Sequence, residues 1–249
     1  MRRLSVKRSR RQSIPGIGVF QQSGLLASFD PSLASVTGSA VDSWTQSGGS
    51  VSCTVSSTST NRPQLVTVNG RNLIRYSAAS SQRLIGLSNA LAAALGGVTP
   101  YTFYCAVDID DPGGGVNGTF TAWAVGAGTG YVHHPTNGLR DQYVRFDGAG
   151  STSTLSAGSV WPVSMCVYAS VFTGSSFSNY INGALVNSGP NTRNAGSTDI
   201  LTIGCYVLGT GSYNGYLQGD LGRCLYYSGA HSAGQIARNT AWLRRYYGV

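Results

Sequence analysis

The residues in this sequence best suited to chemistry are carboxylates. Asp108-Ile109-Asp110-Asp111 is the densest acidic run, and it leads straight into Pro112-Gly113. Alternate residues of a strand share a face, so Asp108 and Asp110 would stand side by side. Glycoside hydrolysis needs two carboxylates flanking the scissile bond. The chain holds 9 acidic residues, and all of them are Asp. With no Glu and a turn directly after the pair, the run reads as a solvated turn, and no catalysis is expected. Calcium takes several oxygen ligands, more than this run offers, so a calcium site is disfavoured and no cofactor is expected.

Histidine and the aromatics come next. His133-His134-Pro135 is the sole His pair. Neighbouring strand residues point to opposite faces, so one metal ion shared by both is awkward. With His231, all three histidines read as surface or loop residues. There is no G-x-S-x-G elbow and no phosphate-cradling P-loop. Trp123, Tyr131 and His133 surround a Gly-rich loop, and Trp161 precedes Pro162 at the start of a strand. These four are the candidate glycan contacts, set against the plainer reading of core or subunit interface. Trp44 and Trp242 read as packing residues.

Charge is concentrated at one end. Of 17 Lys and Arg, six (Arg2, Arg3, Lys7, Arg8, Arg10 and Arg11) fall in the first eleven residues, with no acid before Asp30. The remainder carries 11 cations against 9 carboxylates, so the formal charge of +8 belongs mostly to residues 1–24. This segment reads as a basic N-terminal arm preceding a domain over 25–249. It has three readings: an anchor into neighbouring subunits using Ile17 and Phe20 beside the cations, a nucleic-acid contact through phosphates, or a solubilising tail. The anchor is favoured, because no aromatic precedes Phe20 for base stacking. Residues 14–20 are too short and too broken by Pro15, Gly16 and Gly18 for a signal h-region. No apolar run reaches membrane-spanning length, so no membrane partner is expected.

The elements that must position these residues are strands. The 34 Gly, the β-branched content and the absence of Glu favour strands joined by turns. Runs at 71–76, 102–109, 119–125, 142–146, 178–181, 184–186, 200–207 and 215–227 read as strands. The run 163–172 is nearly all apolar, as a strand buried on both faces should be. Asn182-Gly183 marks a type I′ hairpin. A short helix is expected near 88–95. A second is expected near 232–246, opened by the capping box Ser232/Gln235, with Ile236, Thr240, Leu243 and Tyr247 on one stripe. Five Cys without a C-x-x-C spacing read as buried free thiols, which suits synthesis in a reducing cytoplasm.

Four pieces together resemble a known family. They are LLASFDPSLASVTGSAVDSWTQSGG at 25–49, NGRNLIRYSAASSQRL at 69–84, YINGALV at 180–186, and the closing stretch from Leu201 that ends in NTAWLRRYYGV. Their order and spacing resemble the laminin-G-like, concanavalin A-like jelly-roll modules of bacteriophage head and tail accessory proteins. The resemblance implies an all-β, two-sheet jelly-roll sandwich, a fold that serves sugar binding, protein binding and virion building alike. It departs from the family at Tyr76-Ser77-Ala78 and in lacking an expected acid near the last strands, which weakens a calcium site further. The function expected on this basis is a non-catalytic structural virion protein: a capsid decoration, head-fibre or tail-associated component held by its arm. It would be found in the virion after synthesis in the host cytoplasm, as a homo-oligomer among other virion proteins. The alternative is a carbohydrate-binding module that attaches to glycans.

Overall fold

The computed structural model describes residues 20, 22–110, 118–125, 129–136, 141–148, 151–153, 162, 164–190, 199–209 and 212–249; within 123–153 and at 208–209 it describes the backbone alone. Strands dominate. In chain order they are β1 (Leu25–Phe29), β2 (Ala34–Thr37), β3 (Ala40–Thr45), β4 (Thr54–Ser56), β5 (Gln64–Val68), β6 (Arg71–Tyr76) and β7 (Leu84–Gly86). After α1 (Ala90–Leu95) come β8 (Tyr101–Ile109), β9 (Thr121–Val125), β10 (Thr129–Thr136), β11 (Asp141–Gly148) and β12 (Ser151–Ser153). The chain continues with β13 (Cys166–Phe172), β14 (Ser176–Ile181), β15 (Ala184–Pro190), β16 (Ile200–Ile203), β17 (Tyr206–Gly209), β18 (Ser212–Asn214) and β19 (Gly219–Ser228), and α2 (Ala233–Tyr247) closes it.

All pairings among the described residues are antiparallel; seventeen strands fold one continuous ladder into two layers, and β17 pairs with β18 in a separate two-stranded sheet. The first layer runs β5-β6-β19-β8-β13-β14-β15, with β1 beside the second half of β19. The second runs β2-β3-β4-β7-β16-β9-β10-β11-β12. A single pair, Ala40 with Gln64, joins the layers through β3 and β5. The central strands neighbour partners remote in sequence, as in a jelly roll. The hairpin β14–β15 turns on Asn182 and Gly183, at φ 50° and 87°; positive φ at both positions is what a type I′ turn demands.

The core lies between the layers. Phe29, Trp44, Phe103, Phe120, Tyr168, Leu201, Ile203 and Tyr226 are buried there. The Phe103 and Tyr226 rings lie 4.9 Å apart, and Trp44 Nε1 donates to the Asp30 carbonyl at 2.8 Å. A second apolar cluster sits on the opposite face of the first layer, where Tyr104, Ala106, Val167, Ala169 and Leu225 meet Leu243 and Tyr247 of α2. This explains why β13 is buried at every residue. The predicted capping box is present: Ser232 and Gln235 exchange hydrogen bonds, and the stripe Ile236, Thr240, Leu243 and Tyr247 is buried.

The structure refines three expectations. His231 is buried, not a surface residue: its Nδ1 lies 2.8 Å from Tyr104 Oη and its ring 4.4 Å from that of Tyr227. Residues 215–227 are not one strand run, because β18 ends at Asn214 and β19 begins only at Gly219. The short helix starts at Ala90, since Asn89 caps it by accepting from the Leu91 and Ala92 N–H groups. All five cysteines are free and buried.

Candidate functional site

Several connections converge at one end of the sandwich: β6–β7, the start of β8–β9, and β18–β19. The β6–β7 connection is a 3-10 turn at Ala78–Ser80 closed by Ser81 in left-handed conformation. Gln82 Oε1 accepts the Ser77 N–H at 2.7 Å, and the Arg83 N–H donates to the Asn61 carbonyl at 3.1 Å. Gln218, between β18 and β19, stitches two of these connections together. Its Oε1 accepts the Ala78 N–H at 3.0 Å, and its Nε2 donates to Asp110 Oδ2 at 3.4 Å. Gly215 is required where it stands, because its φ is +62° and a Cβ there would come within 2.2 Å of the Tyr206 ring.

This scaffold presents a basic–aromatic flank. The Arg83 guanidinium carbon lies 4.7 Å from the Tyr213 ring centroid and 5.9 Å from that of Tyr216. Arg83 Nη1 donates to the Ser81 carbonyl at 3.0 Å, while its buried Nε has no hydrogen-bond partner among the described residues. Tyr216 Oη donates to the Tyr213 carbonyl at 3.0 Å, which fixes the two tyrosines together. Arg83, Tyr213 and Tyr216 are all half-buried. Burial raises the Tyr213 hydroxyl above its ordinary value, with Cys205 adding to the effect and the Arg83 charge opposing it.

Across Gln218 lies an acidic flank. Asp220 accepts two bonds from Arg75, from Nε and Nη2, each 2.8 Å. This bidentate pair raises Arg75 above its ordinary value, the hydrogen bond to Asp220 being the largest cause. Asp108 is the cross-strand partner of Asp220. Burial raises its carboxyl, as do the charges of Asp110 and Asp220, while a backbone bond from Met165 and the Arg75 charge oppose them. Asp110 lies beyond the end of β8 and is exposed. The expected pair therefore splits into a half-buried acid in the ladder and an exposed one held by Gln218. Among the described residues, no group of three or more His, Cys, Asp or Glu is placed to hold a metal ion.

A second polar–aromatic cluster lies beneath α2. Arg223 of β19 pairs with Asp30, and both side chains are largely buried. Its guanidinium carbon lies 5.2 Å from the Trp242 ring, 5.4 Å from Tyr246 and 5.8 Å from Phe20. Phe20 in turn meets Trp242 edge-on at 4.8 Å. Burial lowers Arg223 below its ordinary value, opposed by Tyr247 and Tyr246.

Of the residues singled out from sequence, Asp108 and Asp110 stand at the first place, and Phe20 and Trp242 at the second. Trp123 pairs through its backbone with Tyr131 on one side and Leu201 on the other, and His133 pairs with Thr121, so three of the four candidate glycan contacts sit in one strip of β9 and β10. Trp161 lies outside the described residues, as do Arg2, Arg3, Lys7, Arg8, Arg10, Arg11 and Ile17. Of the proposed anchor residues only Phe20 is described, and it packs on α2. Sequence reasoning missed Arg83, Tyr213, Tyr216 and Asp220. One signal was available for the tyrosines: Tyr213 and Tyr216 flank Asn214-Gly215, a turn dipeptide that brings two rings together. Among the described residues, no helix is long and apolar enough to cross a membrane.

No protein-family model and no curated protein matches this chain. Solved structures do. The binding domain of botulinum neurotoxin DC, solved in complex with SialylT, aligns with a TM-score of 0.65 and 10% identity over 89% of this chain and 52% of its own length. A structure of botulinum neurotoxin type C, whose cell entry depends on interaction with two ganglioside molecules, aligns with a TM-score of 0.65 and 9% identity, again over 89% and 52%. The binding domain of Paraclostridial Mosquitocidal Protein 1 gives 0.63 and 13% over 88% and 52%. The chain thus spans about half the length of the structures it matches. At these identities the likeness shows the fold alone: an all-β jelly-roll sandwich of the kind found in binding domains.

Proposed function

We infer that this protein is a non-catalytic carbohydrate-binding module, and that its glycan lies across the loop end of the sandwich. The observation that carries this reading is the convergence there of Tyr213, Tyr216, Arg83, Gln218 and Asp110. Half-buried aromatic rings can cover the apolar face of a sugar, and planar amide, carboxylate and guanidinium groups bond its hydroxyls. The scaffold holds these groups before any ligand arrives, which lowers the entropy lost on binding. Glycan binding by structures of the same fold supports the reading. Catalysis is disfavoured because Asp220 is committed to Arg75 and Asp110 to Gln218. The test is thermal stabilisation of the full chain by a glycan panel, repeated with Tyr216→Ala. A stabilising glycan whose effect is lost in Tyr216→Ala is expected. A panel that leaves the melting temperature unmoved would remove the reading.

A second reading is a structural role on a bacteriophage particle, with residues 1–24 as the anchoring arm and 25–249 as the body. It is favoured by Phe20, whose ring rests on Trp242 and so roots the arm on α2. On that reading the protein is a homo-oligomer among other virion proteins, and nucleic acid is met through the basic arm only. The two roles are compatible, since a particle component can also bind glycans. Loss of particle incorporation on changing Ile17 and Phe20 to Ser would support the anchor, and full incorporation would remove it.

A further inference from the structure

We propose that the saccharide taken at the loop end is acidic, and that Arg83 reads its carboxylate. The proposal rests on the glycan-binding reading above and names the ligand class of the same site. Arg83 differs from the other arginines described at functional clusters. Arg75 is committed to Asp220 by two bonds, and Arg223 to Asp30 under the α2 aromatics. Among the described residues no carboxylate forms an ion pair with Arg83, and its side chain bonds only the Ser81 carbonyl, through Nη1. The guanidinium carbon instead lies over the Tyr213 ring at 4.7 Å and 5.9 Å from that of Tyr216, and among the described residues Nη2 makes no hydrogen bond. That free edge is the fork that meets a carboxylate through two parallel bonds. Stacking on an aromatic face costs the cation little hydration and limits the rotamers it must give up.

The charge layout sets the orientation. Asp110 and Arg83 stand at opposite ends of a relay that runs from Asp110 through Gln218 to the Ala78 N–H and on along the 78–83 connection. A saccharide with its carboxylate on Arg83 keeps that charge away from Asp110. Its neutral rings then lie toward Gln218 and Asp110, which offer an amide and an acceptor to hydroxyls. A neutral glycan would leave the Arg83 fork without its partner and gain nothing from the charge.

The test uses the full chain and two matched pairs of probes: 3′-sialyllactose against lactose, and a glucuronate-terminated disaccharide against its methyl ester. Calorimetric titration of the wild-type protein should show at least one acid bound about tenfold or more tightly than its neutral partner, as expected for a charge-assisted bidentate pair. Binding of the preferred acid should weaken with added salt and fall to the level of its neutral partner in Arg83→Gln. Arg83→Lys, which keeps the charge but not the fork, should recover only part of it. Preference for sialyllactose alone or for the glucuronate alone identifies which acid is meant, and both support the proposal. Neutral and acidic partners bound equally would overturn it while leaving the glycan-binding reading in place. If neither member of either pair binds, and no glycan of the wider panel does, both fall together. The comparison of acid with ester needs no variant, so it stands even if Arg83 substitutions perturb folding.

Discussion

His231 carries the clearest pH signature in the molecule. It is 8% exposed, wedged between Tyr104 and Tyr227, with its backbone N–H donating to Thr102 Oγ1. Burial first, and then the nearby Arg238 charge, lower its pKa from 6.5 to about 4. The folded protein thus keeps His231 neutral where the unfolded chain would protonate it. Stability from this residue is complete above pH 6.5 and is lost as the pH falls toward 4. Between pH 6.5 and 5, above the ordinary range of the carboxylates, the loss should be about 1.5 kcal/mol. Urea midpoints across that window should show this slope, and His231→Gln should flatten it; an unchanged slope in the variant would assign the effect elsewhere. The cysteines give a second expectation. Burial raises all five thiols, Cys53 and Cys205 to about 12, and leaves almost no thiolate at neutral pH. A thiol reagent should react slowly with the native protein and titrate all five cysteines after denaturation, whereas a fast-reacting native thiol would show local opening.

The helix α2 is where local sequence and tertiary packing agree most fully. Ser232 and Gln235 begin it, Gly248 at φ 75° ends it, and one stripe is buried against the first layer. Leu243 is fully buried there, so Leu243→Ala should lower stability by about 2–5 kcal/mol by denaturant unfolding. A loss below about 0.5 kcal/mol would make the helix peripheral. What was legible in the sequence follows the same logic. The capping box, the Asn182-Gly183 turn and the doubly buried β13 each have a signal within a few residues. The early strands were harder. The β2 residues are exposed or half-exposed, and β4 buries only Val55, so neither shows apolar alternation. The candidate site was not legible because Arg83 meets Tyr213, and Arg75 meets Asp220, only through the winding of the jelly roll. Trp123 and Tyr131 stand out by residue type and by the Gly-rich loop between them, neither of which says which strands bring rings to the loop end. Asp220 was overlooked for a related reason: its neighbours Gly219, Leu221 and Gly222 read as ordinary strand and turn, and its partner lies in β6.

The uneven charge of the whole chain implies that stability and any nucleic-acid affinity would reside in different parts of it. Six cations in residues 1–11 with no acid among them cannot be buried together without outside counter-charges, because unpaired buried charge is too costly. The sandwich should therefore not depend on them. Phe20 differs: it meets Trp242 at 4.8 Å and helps cover the Arg223–Asp30 pair. Removing residues 1–12 should leave the melting temperature within about 1 °C of the full chain, whereas Phe20→Ser should lower stability by roughly 1–3 kcal/mol through lost apolar and aromatic contact. The same pair of variants should behave oppositely toward DNA. Any binding by the full chain should weaken with salt, with a log–log slope no steeper than about −5, since each of six phosphate contacts contributes about −0.9. The deletion should abolish that binding, and Phe20→Ser should leave the slope unchanged. If the deletion unfolds the sandwich, the arm is part of the folding unit. If it folds and still binds DNA with the same slope, the phosphate contacts lie on the body, and the near-balance of charge there could not account for them.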